Sequence, residues 1–287
     1  MAKKTVEEIT KDLEKHVEEM FNSDAYRKWL RTLSLFPSYS LNNTLLIAMQ
    51  RPDATRVCGY KNWQKLGRQV RQGEDAIRIY APHKKHSYVP LKDENGDPVL
   101  DEDGKPKKKR VEWTVFGLAS VFDITQTDGE PLPSLKVDEL TGDVDGFSPF
   151  FDALTRVCPV PVTFEHFEDD KKGCYKKAEG RIAIKSGMSN SQTIKTLLHE
   201  MTHEMLHSDE DVCFDEDTRE IQAESVAYTV CQHYGIDTSD YSFGYITTWA
   251  SDKGIDELKA SLDIIRMVAV ELIESIDIRL GNCKTAA

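Results

Sequence analysis

The stretch "TLLHEMTHEMLHSDED", Thr196 to Asp211, constrains the architecture of this chain more than any other segment. Wound as a helix, it gathers Ile194, Leu197, Leu198, Met201 and Met205 into one apolar stripe, with His199 and His203 together on roughly the opposite face. A fold that accepts this helix must cover the stripe with a core and leave two imidazoles one turn apart on the other side. Both nitrogens can then reach a single ion at about 2.0–2.1 Å. His-Glu-x-x-His on a helix is the pattern of zinc-dependent hydrolysis, with the glutamate, here Glu200, taking a proton from the attacking water.

Two histidines leave such a site one ligand short. His207 continues the spacing, but it lies about 12 Å along the axis from His199, and one ion cannot span that distance in a straight helix. Its place is on the surface or behind a ligand. Asp209 stands where enzymes with an extended form of the motif put their third ligand, but those need a glycine where this chain has Leu206. The segment "EIQAES" offers Glu220 and Glu224 one turn apart, and Ala227 and Cys231 continue their face with side chains small enough for close helix packing. This pair resembles the acid pair of thermolysin-like zincins, in which the first acid binds zinc and the second braces a histidine ligand through its other ring N–H. The resemblance implies Glu220 as the ligand and Glu224 as the brace, and the reverse assignment stays open. In zincins an extended peptide pairs with an edge strand beside the motif helix, for which "GRIAIKSG", Gly180–Gly187, is the candidate.

At 287 residues the chain is long enough for two domains. Its N-terminus is charged throughout, unlike a signal peptide, and no apolar run is long enough to cross a membrane. The six cysteines are scattered without a pairing framework, which fits reduced thiols and a cytoplasmic location. The net charge of −12 is unevenly distributed: Met1–Thr125 holds 22 basic and 18 acidic residues, and Gln126–Ala287 holds 15 and 31. Within Tyr26–Lys92, 13 basic residues face only Asp53, Glu74 and Asp75. Two such surfaces suit two different partners.

Helical spacing predicts helices over the first twenty-odd residues, over "DAYRKWLRTLSLF", over "SLNNTLLIAMQRP" up to Pro52, around "FSPFFDALTRVC", over "TREIQAESVAYTVCQHYG" and from about Asp256 to Ile278. Strands are expected at Ile77–Tyr80, at "VTFEHF", in a hairpin within "CYKKAEGRIAIKSG", and as one or two buried strands in "WTVFGLASVFDITQT". The polar stretch between Lys92 and Arg110 reads as a surface hairpin or flexible insertion. Residues 131–146, rich in turn formers and acids, read as a linker between domains spanning 1–130 and 147–287.

The basic segment interleaves its cations with Tyr26, Trp29, Phe36, Tyr39, Tyr60, Trp63 and Tyr80, a composition suited to single-stranded nucleic acid. "FPSYSLNNTLLIAMQRPDATRVCGYKNWQKLGRQVRQGEDAIRIYAP" followed by "VFDITQTDGEPLP" resembles the N-terminal domain of ArdC-type antirestriction proteins of plasmids and integrative elements. The C-terminal half is similar to ImmA/IrrE-type peptidases, whose ligand set is His, His and Glu. The resemblance implies an α+β protein in which a single-stranded-DNA-binding domain precedes a zincin-like metallopeptidase domain. It carries Tyr39, Asn43, Trp63, Arg68 and Arg71 over as candidate DNA contacts. On this reading the protein of a mobile element hydrolyses a protein or peptide met near DNA, with Zn2+ as cofactor and no membrane partner. The alternative is a non-catalytic DNA escort whose zinc site is structural or vestigial.

Overall fold

A computed structural model describes residues 6–91, 98–100, 105–131, 147–209, 214–241 and 243–281. The fold is mixed α+β. Three helices open it: α1 (Val6–Met20), α2 (Ser23–Leu35) and α3 (Leu41–Gln50). Asn22 caps α2 by accepting Ala25 N–H at 3.0 Å. Next come β1 (Val57–Gly59), α4 (Tyr60–Lys65), β2 (Arg68–Val70), β3 (Ile77–Pro90), β4 (Lys108–Asp123) and β5 (Thr127–Gly129). The strands form an antiparallel sheet in the order β1-β4-β3 and a small β2-β5 ladder.

The second half begins with α5 (Phe147–Val157), followed by β6 (Val162–Glu165), β7 (Gly173–Lys176) and β8 (Arg181–Lys185). Its sheet has the order β6-β8-β7, with β6 parallel and β7 antiparallel to β8. Four helices complete the chain: α6 (Asn190–His207), α7 (Glu216–His233), α8 (Ile246–Ala250) and α9 (Ile255–Leu280). Ser189 and Asp215 cap α6 and α7 through Gln192 N–H and Thr218 N–H. None of these helices is long and apolar enough to cross a membrane.

Every helix expected from spacing is present. As expected, "WTVFGLASVFDITQT" contributes a strand, β4, but its start at Trp113 and Thr114 is exposed rather than buried, because residues 108–114 pair only with the outer half of β3, beyond the reach of the core. Of the expected linker at 131–146, residues 132–146 lie outside the described residues.

The core does not divide at that point. A single apolar cluster takes Ile9, Leu13, Tyr26, Trp29 and Leu33 from α1 and α2 together with Leu197, Met201, Val226, Leu262 and Ile273 from the second half. The helix α7 lies at its centre, packed by α2, α6 and α9, and is buried nearly all round. Tyr26 Oη and Ser225 Oγ meet at 2.8 Å inside this cluster, which satisfies two hydroxyls that would otherwise be costly to bury. A smaller cluster of Phe36, Ile47, Ala54, Val57, Ile77, Ile79 and Val121 supports the β1-β4-β3 sheet.

Candidate metal centre

The helix α6 buries Ile194, Leu197, Leu198 and Met201, as its apolar stripe requires, and turns His199 and His203 toward α7. The α7 residue that meets them is Glu220. His199 Nε2 and His203 Nε2 are 3.0 Å apart, Glu220 Oε2 is 3.4 Å from the first, and Glu220 Oε1 is 3.3 Å from the second. A tetrahedral ion at about 2.0–2.1 Å from each donor would set donors about 3.3 Å apart. Each histidine faces a different oxygen of Glu220 at close to that spacing, and with one ligand atom taken from each residue the three lie within 4.8 Å of one another.

The electrostatics agree with the geometry. Hydrogen bonds from His199 and His203 hold the Glu220 carboxyl far below the usual carboxylate range despite its partial burial. Burial pushes His199 down, but the Glu220 hydrogen bond and the charges of Glu200, Glu220 and Glu224 outweigh it, leaving its pKa above the ordinary value.

Glu200 is buried beside the pair, and its Oε2 accepts Tyr175 N–H from β7 at 2.8 Å, which fixes the carboxylate's direction. This contact needs a close approach of β7 to α6. A Cβ on Gly173 would lie 2.5 Å from Thr196 Cγ2 and 3.2 Å from Glu200 Cγ, so only glycine fits there. A cleft of about 470 Å³ opens along this contact, lined by Gly173, Thr196, His199, Glu200, Glu224 and Tyr241. The strand beside the cleft is therefore β7. Gly180–Gly187 contains β8, the central strand, whose two edges are already paired with β6 and β7, so it is not the edge anticipated for a peptide.

Glu224 accepts Tyr245 Oη at 2.8 Å, and no hydrogen bond joins it to either histidine among the described residues. Burial and Glu224 together push the Tyr245 phenol upward, which keeps it a proton-bearing donor. His203 Nδ1, the ring nitrogen away from Glu220, lies 3.0 Å from His207 Nδ1. Asp209 is exposed and outside the cluster. Tyr175, Tyr245 and Gly173 carried no sequence signal, whereas Gln222 could be noticed only as a neighbour of Glu220 and Glu224 in "EIQAES".

Of the five candidate DNA contacts, Trp63 and Asn43 are buried, Tyr39 and Arg68 are half-buried and Arg71 is exposed. Trp63 is fully buried and donates Nε1–H to Phe122 O at 2.9 Å. Asn43 pairs with the backbone of Tyr80 in both directions, Nδ2 to Tyr80 O at 2.9 Å and Tyr80 N to Oδ1 at 2.8 Å, and so pins α3 to β3. Arg68 ties the β2-β5 ladder through Thr127 Oγ1, Thr127 O and Gly129 O. Arg71 is paired with Glu74 at 2.7 Å and Asp128 at 3.3 Å. Tyr39 is half-buried, edge-on against Phe36 at 5.9 Å.

A mixed α+β chain in which two histidines, a glutamate and a poised carboxylate converge beside an edge strand has the donor set of a divalent-metal centre. Among known proteins, residues 1–122 match the family model of the N-terminal domain of anti-restriction factor ArdC. An uncharacterized protein of Bacillus anthracis, pXO2-81, is 24% identical over 285 residues, covering 87% of this chain and 47% of that protein, so the chain spans about half the length of this curated relative. Two crystal structures of the antirestriction ArdC protein from plasmid R388, one metal-free and one Mn(II)-bound, share 19% identity with it at a TM-score of 0.45. The alignments cover 86% and 87% of this chain and 86% of theirs.

Proposed function

We propose that the chain is a divalent-metal-dependent peptidase that also binds single-stranded DNA, and that His199, His203 and Glu220 hold the metal. The observation carrying the first part is the convergence of those three donors with Glu200 fixed beside them. The all-nitrogen-and-oxygen donor set, with no cysteine, suits Zn2+ in an open catalytic site better than in a closed structural one. A bound divalent ion would lower the pKa of a coordinated water and polarise a peptide carbonyl. Glu200 then takes the proton from the attacking water and hands it to the leaving amine, its aim set by Tyr175 N–H. Tyr245, held by Glu224, is a neutral donor on the same side of α7. An extended substrate lies along the cleft beside β7.

The decisive comparison is between the full-length wild type and Glu200→Gln on a fluorogenic peptide library, with and without a single-stranded oligonucleotide. Cleavage by the wild type that a chelator removes, and that Glu200→Gln lacks while still binding metal, is the expected result. Cleavage undiminished in Glu200→Gln would sink the catalytic assignment and favour a DNA escort.

The DNA-binding part rests on the match of residues 1–122 to the ArdC N-terminal domain and on a specific surface. The outer halves of β3 and β4 leave the body as a two-stranded ribbon exposed on both faces. Trp113 is 45% exposed, Tyr88 58% and Phe116 72%. Their cross-strand neighbours are Lys85 opposite Trp113 and Arg110 opposite Tyr88, with Lys84, Lys108 and Lys109 nearby. Cations alternating with exposed rings offer charge for phosphates and platforms for splayed bases. On a chain of net charge −12, that concentration of positive charge singles out a polyanion as the partner. A loss of salt-dependent oligonucleotide affinity in Lys84→Glu/Lys85→Glu is expected, and unchanged affinity would remove the ribbon from the interface.

A further inference from the structure

At the root of the ribbon, where β3 and β4 rejoin the body, a second cleft of about 340 Å³ opens between α1, α3, the sheet and α9. Its volume is at the low end of the about 300–1,000 Å³ usual for small-ligand sites, room for one planar ring system. Side chains alternate along a strand, so Tyr80, Lys84, Tyr88, Arg110 and Phe116 share one face of the β3-β4 pair. That face carries its cations and rings down to the cleft, which Tyr80 and Phe116 line.

The chemistry of the cleft differs from that of the ribbon above it. Glu14 and Lys259, 3.6 Å apart, offset each other's charge, so no excess of positive charge marks it for a phosphate. Phe116 presents a largely exposed ring that belongs to neither core cluster. The Tyr80 hydroxyl meets Thr10 Oγ1 at 2.8 Å, which fixes a second ring in the wall. Two neighbouring asparagines then part ways. Asn43 spends both ends of its amide on the Tyr80 backbone, whereas Asn42, exposed on the cleft wall, has no hydrogen-bond partner among the described residues. A free amide offers a donor and an acceptor side by side, the complement of a base edge.

We infer that this cleft is a nucleobase subsite: one base of a strand held on the ribbon turns into it, stacks on Phe116 and pairs with the Asn42 amide. An uncharged, aromatic, amide-bearing wall suits a base as the cationic ribbon suits phosphates. The inference rests on the DNA reading of the ribbon and adds the place where a base is read. Lys259 belongs to α9, so a base seated here touches both halves of the chain.

The test is fluorescence anisotropy of the full chain with single-stranded oligonucleotides over a range of salt. Phe116→Ala should lower affinity about 5–150-fold, the usual effect of losing one base–aromatic stack, with the salt slope unchanged. Asn42→Ala should shift the relative affinities for dA, dC and dT homopolymers by about fivefold or more. Both side chains are exposed, so both variants should melt with the wild type. Wild-type affinity in Phe116→Ala, or an unchanged base ranking in Asn42→Ala, overturns the inference. Free dAMP bound as tightly as the oligonucleotide would make the cleft a mononucleotide site and overturn it too. If Lys84→Glu/Lys85→Glu alone weakens binding, the ribbon stands and the subsite falls. If the wild type binds no strand at all, ribbon and subsite fall together.

Discussion

The candidate metal centre and the N-terminal motif region were both marked by residue patterns, and the fold treats the two sets of residues differently. At the centre, His199, His203 and Glu220 turn their donor atoms toward a common point and toward one another. In the N-terminal region, Asn43, Trp63, Arg68 and Arg71 direct their polar groups to backbone carbonyls, strand edges and neighbouring carboxylates. A recurring residue type marks a constraint without saying whether the constraint is chemical or architectural. The distinction lies in where each hydrogen-bonding group is satisfied.

The largest expected effect lies on the architectural side. Trp63→Ala removes a fully buried indole and its bond to Phe122 O, and should destabilise the protein by about 3–5 kcal/mol in chemical denaturation. Zinc affinity of the folded fraction should stay at the wild-type value. A variant of normal stability with weakened oligonucleotide binding would instead make Trp63 a stacking platform and collapse the comparison.

Glu220→Ala tests the opposite pole. Its carboxylate is half exposed and joins no core element, so the melting temperature of metal-free protein should barely move. Zinc affinity should fall by more than the about 10–100-fold expected for a supporting partner. Glu224→Ala should cost less, because that carboxylate holds Tyr245 rather than a histidine. If the two costs are reversed, the roles of the two acids are exchanged.

Asp123 sharpens the comparison through pH. Its carboxylate accepts Thr55 N–H at 2.8 Å, Arg56 N–H at 3.0 Å and Thr125 N–H at 2.9 Å at the end of β4. Burial pushes its pKa up, but the Thr125 hydroxyl and the backbone N–H groups of Arg56, Thr125 and Thr55 outweigh this and hold it below the ordinary aspartate value. The native state therefore binds fewer protons than the unfolded one, and the stabilisation is complete above the ordinary aspartate range. It drains as pH falls through that range toward the lowered folded value. Asp123→Asn should cost about 1.5–3 kcal/mol at neutral pH and flatten the acid limb of the stability curve. An unchanged acid limb would assign it to other carboxylates.

The same accounting explains what was legible in advance. The periodicity of Leu197, Leu198 and Met201 marked the motif helix and its buried face, and the turn spacing of Glu220 and Glu224 marked the next helix as the one that brings a carboxylate to the two histidines. Helix periodicity is local, so it survives any tertiary arrangement. Strand order is not local: nothing within "GRIAIKSG" states that its two edges are already paired, and the Gly173 contact exists only once β7 crosses α6. The shared core escaped for the same reason, since Tyr26 meets Ser225 across 199 positions of sequence. That packing predicts that a fragment cut at residue 130 exposes Ile9, Leu13, Trp29 and Leu33 and aggregates, so DNA binding is best measured on the full chain.

The smallest effect on the fold, and the one that separates the two kinds of N-terminal aromatic, comes from Trp113→Ala. Trp113 stands on the exposed ribbon, 45% accessible and opposite Lys85, and it belongs to neither core cluster. Truncating it should change stability by no more than about 0.5 kcal/mol. If bases stack on it, affinity for a single-stranded oligonucleotide should drop by about 1–3 kcal/mol at fixed salt. The slope of log affinity against log salt should stay the same, because no phosphate contact is lost. Lys85→Ala should do the reverse, lowering the slope by roughly one contact while leaving the stacking contribution in place. A Trp113→Ala variant that binds DNA like wild type while losing stability would make this ring architectural too and remove it from the proposed nucleic-acid surface.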